Sequence, residues 1–112
     1  MTKHEDWPYV EHILEAIRDI EESVKGLSMK EFINNKDIRD ANIRRLEIIG
    51  EAVKNISQHL KNENKEIEWN KIAGMRDKVI HNYFGVNLEI VWNVIKADLP
   101  DLKVKINKIK RV

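Results

Sequence analysis

One short segment of the sequence contains the residue types that could do chemistry. Arg76, Asp77, His81 and Tyr83 lie within a stretch of eight residues. On a helix, Asp77 and His81 are neighbours because they are four residues apart, and a carboxylate beside an imidazole can orient it and favour its protonated form. Arg76 and Tyr83, seven residues apart, would project in nearly the same direction about two turns apart.

These side chains suit the cleavage of a phosphodiester bond in RNA without a metal. An imidazole can take the proton from a 2′-hydroxyl or give one to the leaving oxygen, and an arginine can hold the phosphate and stabilise the charge of the transition state. In a two-fold dimer, two such helices could bring two arginines and two histidines to one cleft. The alternative, from spacing alone, is that all four are ordinary surface residues of a charged helix.

Several other kinds of site are excluded by composition and spacing. The chain has no cysteine, so thiol nucleophiles, disulfides and Cys-based zinc sites are impossible. Metal-ligand spacing such as His-Glu-x-x-His is absent, and we predict no metal and no cofactor. His4, His12 and His59 have no comparable company and are expected to be surface residues.

The composition fits a single globular domain over residues 1–112, with 35% charged and 42% hydrophobic residues. Lys and Arg number 20 and Asp and Glu 19, giving a net charge of +1. This balance argues against binding nucleic acid by bulk charge, although a local cluster of cations can still hold an RNA phosphate. The sequence shows no signal peptide and no membrane-spanning run, so we expect a soluble protein of the cytoplasm.

Helical spacing predicts the first half of the chain to be helical. A first helix is expected over residues 8–25, with Asp6 or Trp7 as cap, Pro8 in its first turn and Gly26 at its end. Ser28 begins a capping-box pattern that should start a short helix. The apolar stripe of the first helix is formed by Val10, Ile13, Leu14, Ile17, Ile20 and Val24.

A long helix is expected over residues 37–60, with Asp37 as its N-cap. It has two apolar faces, of which one can pack within the subunit and the other against a second copy. Gly50 lies in its middle and indicates either close approach by another element or a tolerated glycine. The main seam is Leu46, Ile49, Val53, Ile56 and Leu60, and the neighbouring strip is Ala41, Ile48 and Ala52.

The second half is predicted to hold a polar loop over residues 61–68 and a helix from Trp69 or Asn70 to Phe84, ended by Gly85. Asn87 could cap a further helix, and Pro100 would bend or restart the chain into the last one. The basic residues near the end form either a solvated face or an RNA or partner contact. The predicted fold is an all-α antiparallel bundle of four to five helices, with the three tryptophans in the core or an interface.

At this point the sequence resembles the HEPN-domain proteins of the HepT-like toxin group. Residues 76–83 match the R-x4-H-x-Y pattern of that group, and residues 46–52 resemble its I-G-E-A helix. Residues 69–76 resemble its W-x-x-I-A-G-x-R approach. Val91-Trp92 and Asp98-Leu99-Pro100 resemble its following helix and proline bend. The resemblance covers nearly the whole chain.

The resemblance implies a helical homodimer whose R-x4-H motifs meet in an interfacial cleft, and a metal-independent ribonuclease acting as the toxin of a two-gene toxin–antitoxin pair. Arg76 and His81 would be the catalytic pair, with Asp77 where relatives commonly have Asn. The implied partner is a minimal nucleotidyltransferase antitoxin, which would transfer AMP from ATP to Tyr83. The alternative is a non-catalytic helical module that serves such an enzyme as a substrate or as a nucleotide-binding subunit.

Overall fold

In the computed structural model, the residues described are 4–75, 77–79 and 87–109. Every regular element in these ranges is helical and none is a strand, which confirms the predicted all-α class. In chain order the elements are a 3₁₀ turn at His4–Asp6, α1 (Trp7–Val24), α2 (Met29–Asn34), α3 (Lys36–Asn55), α4 (Gln58–Glu63), α5 (Trp69–Ala73), α6 (Leu88–Asn93), a π-helical turn at Val94–Asp98, and α7 (Leu99–Asn107).

Helices α1 and α3 form the largest helix–helix contact of the described chain. The predicted stripe of α1 is buried except for Leu14, which is half-buried against the core. The helix begins at Trp7 and ends at Val24, each within one residue of the predicted bound. Gly26 follows with φ +78°, a left-handed conformation that glycine adopts without the steric cost of a side chain.

A capping box starts α2, as predicted. The Glu31 backbone N–H donates to Ser28 Oγ over 3.1 Å, and the Ser28 N–H donates to Glu31 Oε1 over 3.0 Å. These bonds satisfy two amide donors at the helix start and lower the pKa of Glu31. The predicted N-cap of α3, Asp37, was wrong by two residues. Asn35 caps α3, and its side chain accepts the Ile38 N–H over 3.1 Å.

The long helix predicted to reach residue 60 is divided into two helices. α3 ends at Asn55, and Ile56 is extended with ψ 138°. Ser57 starts α4 by accepting the Leu60 N–H at its side chain, over 3.2 Å. Asp6, which directly precedes α1, accepts hydrogen bonds from the Ser57 N–H over 2.8 Å and from the Ser57 hydroxyl over 2.6 Å. Asp6 is therefore not the side-chain cap of α1 that the sequence indicated.

The apolar seam persists across this break. Leu46, Ile49 and Val53 from α3, and Ile56 and Leu60 after it, are all buried, as the sequence predicted. The neighbouring strip is mixed: Ala52 is buried, Ile48 is half-buried and Ala41 is exposed. Gly50 is buried within α3. The break thus redirects the chain while the next turn keeps its place in the core.

The C-terminal part folds back over the first helices. Helix α6 passes directly into the π-helical turn and then into α7, with Pro100 in the first turn of α7. α7 contacts α1, where Lys103 Nζ lies 2.9 Å from Glu21 Oε1. α6 contacts α2 through Phe32 and Trp92, whose ring centroids are 5.2 Å apart. No helix in the described ranges is long and apolar enough to span a membrane.

Candidate functional site

The approach to the predicted catalytic segment is a helix anchored at its start. The indole N–H of Trp69, the first residue of α5, donates to the Asn64 carbonyl over 3.0 Å, and the Trp69 ring is buried. Beyond α5, the backbone N–H of Lys78 donates to the Gly74 carbonyl over 3.1 Å. This bond spans four residues, as in an α-helix, so the helical path continues past Gly74.

Burial divides this segment into two sides. Met75 and Val79, four residues apart, are buried in the core with 6% and 1% of their surface exposed. Asp77 and Lys78 are exposed. Residues 77–79 are helical, so the segment has one face packed on the core and one face in water.

The structure places one of the four predicted site residues. Asp77 lies on the exposed side of the segment. Arg76, His81 and Tyr83 lie outside the described residues. The predicted contact between Asp77 and His81, and the joint cleft of Arg76 and His81, therefore stay predictions.

A cleft opens between the same helical segment and the C-terminal helix, and we refer to it as the α5–α7 cleft. It has a volume of about 210 Å³. Its floor is apolar and its rim is charged. The floor is lined by Ile67, Ile72, Met75, Val94 and Leu102, and the rim by Glu68, Lys71, Lys78, Asp98, Asp101 and Lys105.

The rim of this cleft is neutralised largely by its own charges. Lys105 Nζ lies 3.0 Å from Asp101 Oδ2, and Lys71 Nζ lies 3.8 Å from Glu68 Oε2. The hydrogen bond to Asp101 raises the pKa of Lys105, and the nearby carboxylates Glu68 and Glu66 act in the same direction. Lys105 is therefore a fully charged lysine whose charge is already matched.

Sequence reasoning did not find this cleft, although a signal for it existed. On one wall the lining residues follow helical spacing at positions 98, 101, 102 and 105, in α7 and the residue before it. On the other wall they do so at 68, 71, 72, 75 and 78, in α5 and its flanking residues. Each set is one helix face. Nothing in either set shows that the two faces oppose each other, because that depends on how α7 folds back.

Of the other histidines, His12 and His59 have a described exposure, and both lie on the surface, as expected. His12 is exposed and its ring meets Tyr9 edge-on at a centroid distance of 6.3 Å. His59 is exposed and pairs with Glu63 one turn later, over 2.6 Å. Within the described ranges, no three His, Asp or Glu side chains are grouped to hold a metal ion.

Comparison with known proteins gives one consistent group of relatives. Residues 13–109 match the family described as ribonuclease HepT-like. The chain is 44% identical to a protein of Caldanaerobacter subterraneus subsp. tengcongensis named provisionally as an RNase, across 91% of each chain. It is 45% identical to a Thermococcus cleftensis protein named "Probable ribonuclease HepT", across 96% of each chain. No solved structure gives a significant match.

Proposed function

We propose that this chain, which belongs to the HepT-like ribonuclease family, is the RNA-cleaving toxin of a two-gene toxin–antitoxin pair. One observation carries the proposal: the segment with the R-x4-H-x-Y pattern is packed on the core through Met75, which directly precedes it, and Val79 within it, while Asp77 is exposed. An active-site helix needs such an anchored face, because catalytic groups must be held in place by the packing behind them.

In the proposed reaction, His81 acts on protons and Arg76 on charge. The 2′-hydroxyl oxygen attacks the adjacent phosphorus and loses its proton to an imidazole, while the 5′-oxygen leaves and takes up a proton. The guanidinium of Arg76 holds the non-bridging phosphate oxygens as negative charge develops on them. Asp77 positions the imidazole of His81. No metal ion takes part in this scheme.

We place the reaction at an interface between two copies of the chain. A two-fold axis would bring two Arg76 and two His81 to one cleft, so that one imidazole accepts a proton while the other donates one. The apolar strip beside the main seam of α3 supports this placement, because a second copy could cover it. In the single chain, Ala41 of this strip is exposed and Ile48 is half-buried. Mixing inactive His81→Ala and Arg76→Ala chains tests this, because the mixed dimer would bring one Arg76 and one His81 to a shared cleft and regain part of the activity, whereas separate sites would regain none.

The test of cleavage uses purified protein and total cellular RNA in the presence of a chelator. His81→Ala should lower the cleavage rate by about 10²- to 10⁴-fold, the usual contribution of an acid–base group. His59→Ala is the matched control, because it removes an exposed imidazole that already pairs with Glu63. Failure of the wild-type protein to cleave RNA, or equal losses in both variants, would contradict the proposal.

The proposed antitoxin is a minimal nucleotidyltransferase that modifies Tyr83. The phenol oxygen of Tyr83 attacks the α-phosphorus of ATP, a new P–O bond forms, pyrophosphate leaves and the phenol loses its proton. The added phosphate is negatively charged and is attached close in sequence to Arg76 and His81. It would therefore compete with RNA for the guanidinium of Arg76.

Intact mass measurement tests this modification. Incubation with the enzyme and ATP should add one or more AMP groups, and Tyr83→Phe should abolish the addition. Tyr9→Phe is the control, since Tyr9 is the other of the two tyrosines in the chain. Modification of a protein that cleaves no RNA would favour the alternative function, a non-catalytic substrate or subunit of the nucleotidyltransferase.

A further inference from the structure

A second groove adjoins the α5–α7 cleft and shares three of its lining residues, Ile67, Glu68 and Lys71. It is formed by α4, the turn after it and the start of α5, and it has a volume of about 560 Å³. We refer to it as the lysine groove. Its polar lining consists of three lysines, Lys61, Lys65 and Lys71, and three amides, Gln58, Asn62 and Asn70.

Positive charge predominates in the lysine groove. Glu68 is its single carboxylate among the described lining residues, against three lysines. Within the described part of the chain, Lys61 and Lys65 have no carboxylate partner within 4.0 Å. The third, Lys71, is 3.8 Å from Glu68 in a pair with side chains more than half exposed, a geometry that contributes little attraction in water.

The other acidic residues of this region act elsewhere. Glu63 is 2.6 Å from His59 Nε2 on the surface of α4. Glu66 contributes to the raised pKa of Lys105, which lines the α5–α7 cleft. Neither lines the lysine groove. The local excess of cations is therefore not cancelled, although the whole chain is balanced.

The chemistry of the groove fits a phosphate backbone better than nucleobases. Ammonium and amide N–H groups are donors for phosphate and ribose oxygens. Base stacking needs an open aromatic face, and the one aromatic residue lining the groove, Trp69, is only 8% exposed with its N–H already bonded to Asn64. A ligand here would be held by charge and recognised with little dependence on its sequence.

We propose that the lysine groove binds the sugar–phosphate backbone of the RNA that flanks the cleaved linkage. The proposal rests on the function proposed above. Its position supports it, because Lys71 is one helical turn before Met75, the residue that directly precedes Arg76 in the sequence. An RNA strand that follows α5 would pass from Lys61 and Lys65 towards the R-x4-H segment.

The test measures the binding of a labelled single-stranded oligouridylate of about 12 nucleotides, within the usual site size for such proteins. The protein is the full chain with His81→Ala, which prevents cleavage during the titration. Each lost phosphate contact should flatten the slope of log K against log salt by about 0.7. Lys61→Gln/Lys65→Gln should therefore lower affinity about tenfold at 150 mM salt and flatten the slope by about 1.4.

The matched control is Lys25→Gln/Lys30→Gln, which makes the same change in net charge at two exposed lysines outside the groove. It should change neither the slope nor, beyond about twofold, the affinity. Equal losses in both double variants would overturn the proposal by showing that only total charge matters. Unchanged RNA binding together with lost binding to the nucleotidyltransferase would also overturn it, and would assign the groove to that protein.

The outcomes separate this inference from the proposed function. If wild-type protein cleaves RNA and the groove variant binds it normally, the groove proposal fails and the catalytic proposal stands. If wild-type protein cleaves nothing and the groove variant alone loses RNA binding, the catalytic proposal fails and the groove stands as an RNA-binding surface without a cleaved linkage beside it. Absence of any RNA binding by the His81→Ala chain would overturn both. Unchanged urea midpoints confirm that each variant is folded.

Discussion

The lysine groove and the α5–α7 cleft are adjacent, and both are lined by Ile67, Glu68 and Lys71. Each is lined by three lysines among the described residues, yet the two surfaces differ in the state of those lysines. In the cleft, Lys105 is matched by Asp101 at 3.0 Å, above an apolar floor. In the groove, Lys61 and Lys65 have no such match among the described residues, and the lining is rich in amides.

The comparison shows that counting cations does not identify a surface for an anionic ligand. A lysine that already pairs with a carboxylate must give up that partner before it can bind phosphate, and the exchange yields little net free energy in water. An unmatched lysine releases a counterion instead, which is the main source of affinity for nucleic acids. We therefore expect an anionic ligand to bind in the groove rather than in the cleft.

Leu102→Ala should have a large effect on stability. Leu102 lies in the floor of the α5–α7 cleft and is 4% exposed. Its truncation should lower the free energy of unfolding by about 2–4 kcal/mol, because burial is lost and a cavity is left. Val104→Ala on the same helix is the control, since Val104 is 56% exposed and should cost under about 0.5 kcal/mol.

Urea unfolding measures both variants. Equal effects would mean that the cleft floor is not packed, and the distinction between a structural cleft and a ligand groove would lose its basis. RNA affinity of folded Leu102→Ala should stay unchanged at a temperature where the variant is fully native, because no groove lysine is touched.

Helix ends with local signals were predictable from the sequence. The range predicted from Pro8 and Gly26, residues 8–25, agrees with α1 to within one residue at each end. The Ser28–Glu31 capping box was identified from its spacing. The break at Ser57 was not predictable in this way. Ile56 and Leu60 continue the apolar seam, so periodicity runs on through the break. The carboxylate that binds Ser57 belongs to Asp6, 51 residues earlier, and no local pattern contains it.

The candidate site was predictable in kind but not in surroundings. The sequence singled out the segment, and the structure describes residues 77–79 of it as helical, with Asp77 exposed. The α5–α7 cleft was missed because its walls come from two segments far apart in the chain. The lysine groove is lined by residues within 58–71 and was missed because residues 61–68 were predicted to be a polar loop. Lys61 lies in the stretch predicted to be a polar loop, residues 61–68, and the first three residues of that stretch belong to α4. Only the fold brings it beside α5.

Gly74→Ala should test whether α5 and the turn after it form the single element that borders both surfaces. Gly74 is exposed with φ −79°, and an added Cβ would meet the Asn70 carbonyl oxygen at 3.4 Å, an ordinary contact. Alanine should therefore raise the free energy of unfolding by about 0.5–1 kcal/mol. A loss of stability would show that the path needs a glycine break at this point.

The matched control for this change is Gly26→Ala. Gly26 also has open space around it, but its φ of +78° is strained for alanine. We expect the opposite sign there, a loss of about 1 kcal/mol. Thermal unfolding of both variants against the wild-type protein measures the difference.

Glu68→Gln should move RNA affinity in the opposite direction from the lysine variants. Glu68 lines both surfaces, its side chain is 66% exposed, and its carboxylate is 3.8 Å from Lys71 Nζ. Removing this charge leaves Lys71 free for phosphate, so affinity for oligouridylate should rise about two- to fourfold at 150 mM salt. Glu89→Gln, an exposed glutamate of α6 outside both surfaces, is the control. Weaker binding by Glu68→Gln would place the RNA elsewhere.

The smallest effect is expected for removal of the pair at the cleft rim with Lys105→Gln/Asp101→Asn, which keeps the net charge constant. The hydrogen bond from Lys105 to Asp101 raises the pKa of the lysine. The pair's contribution to stability is therefore complete below the unfolded pKa of lysine, about 10.4, and is lost as pH rises through the folded pKa.

The pair is ionised and matched at neutral pH, so the double variant should bind oligouridylate within about twofold of wild type from pH 6 to 9. Lys61→Gln is the comparison, with an expected loss of about fourfold at 150 mM salt. Losses of the same size in both variants would mean that a matched lysine binds RNA as well as an unmatched one, and the difference drawn between the two surfaces would be wrong.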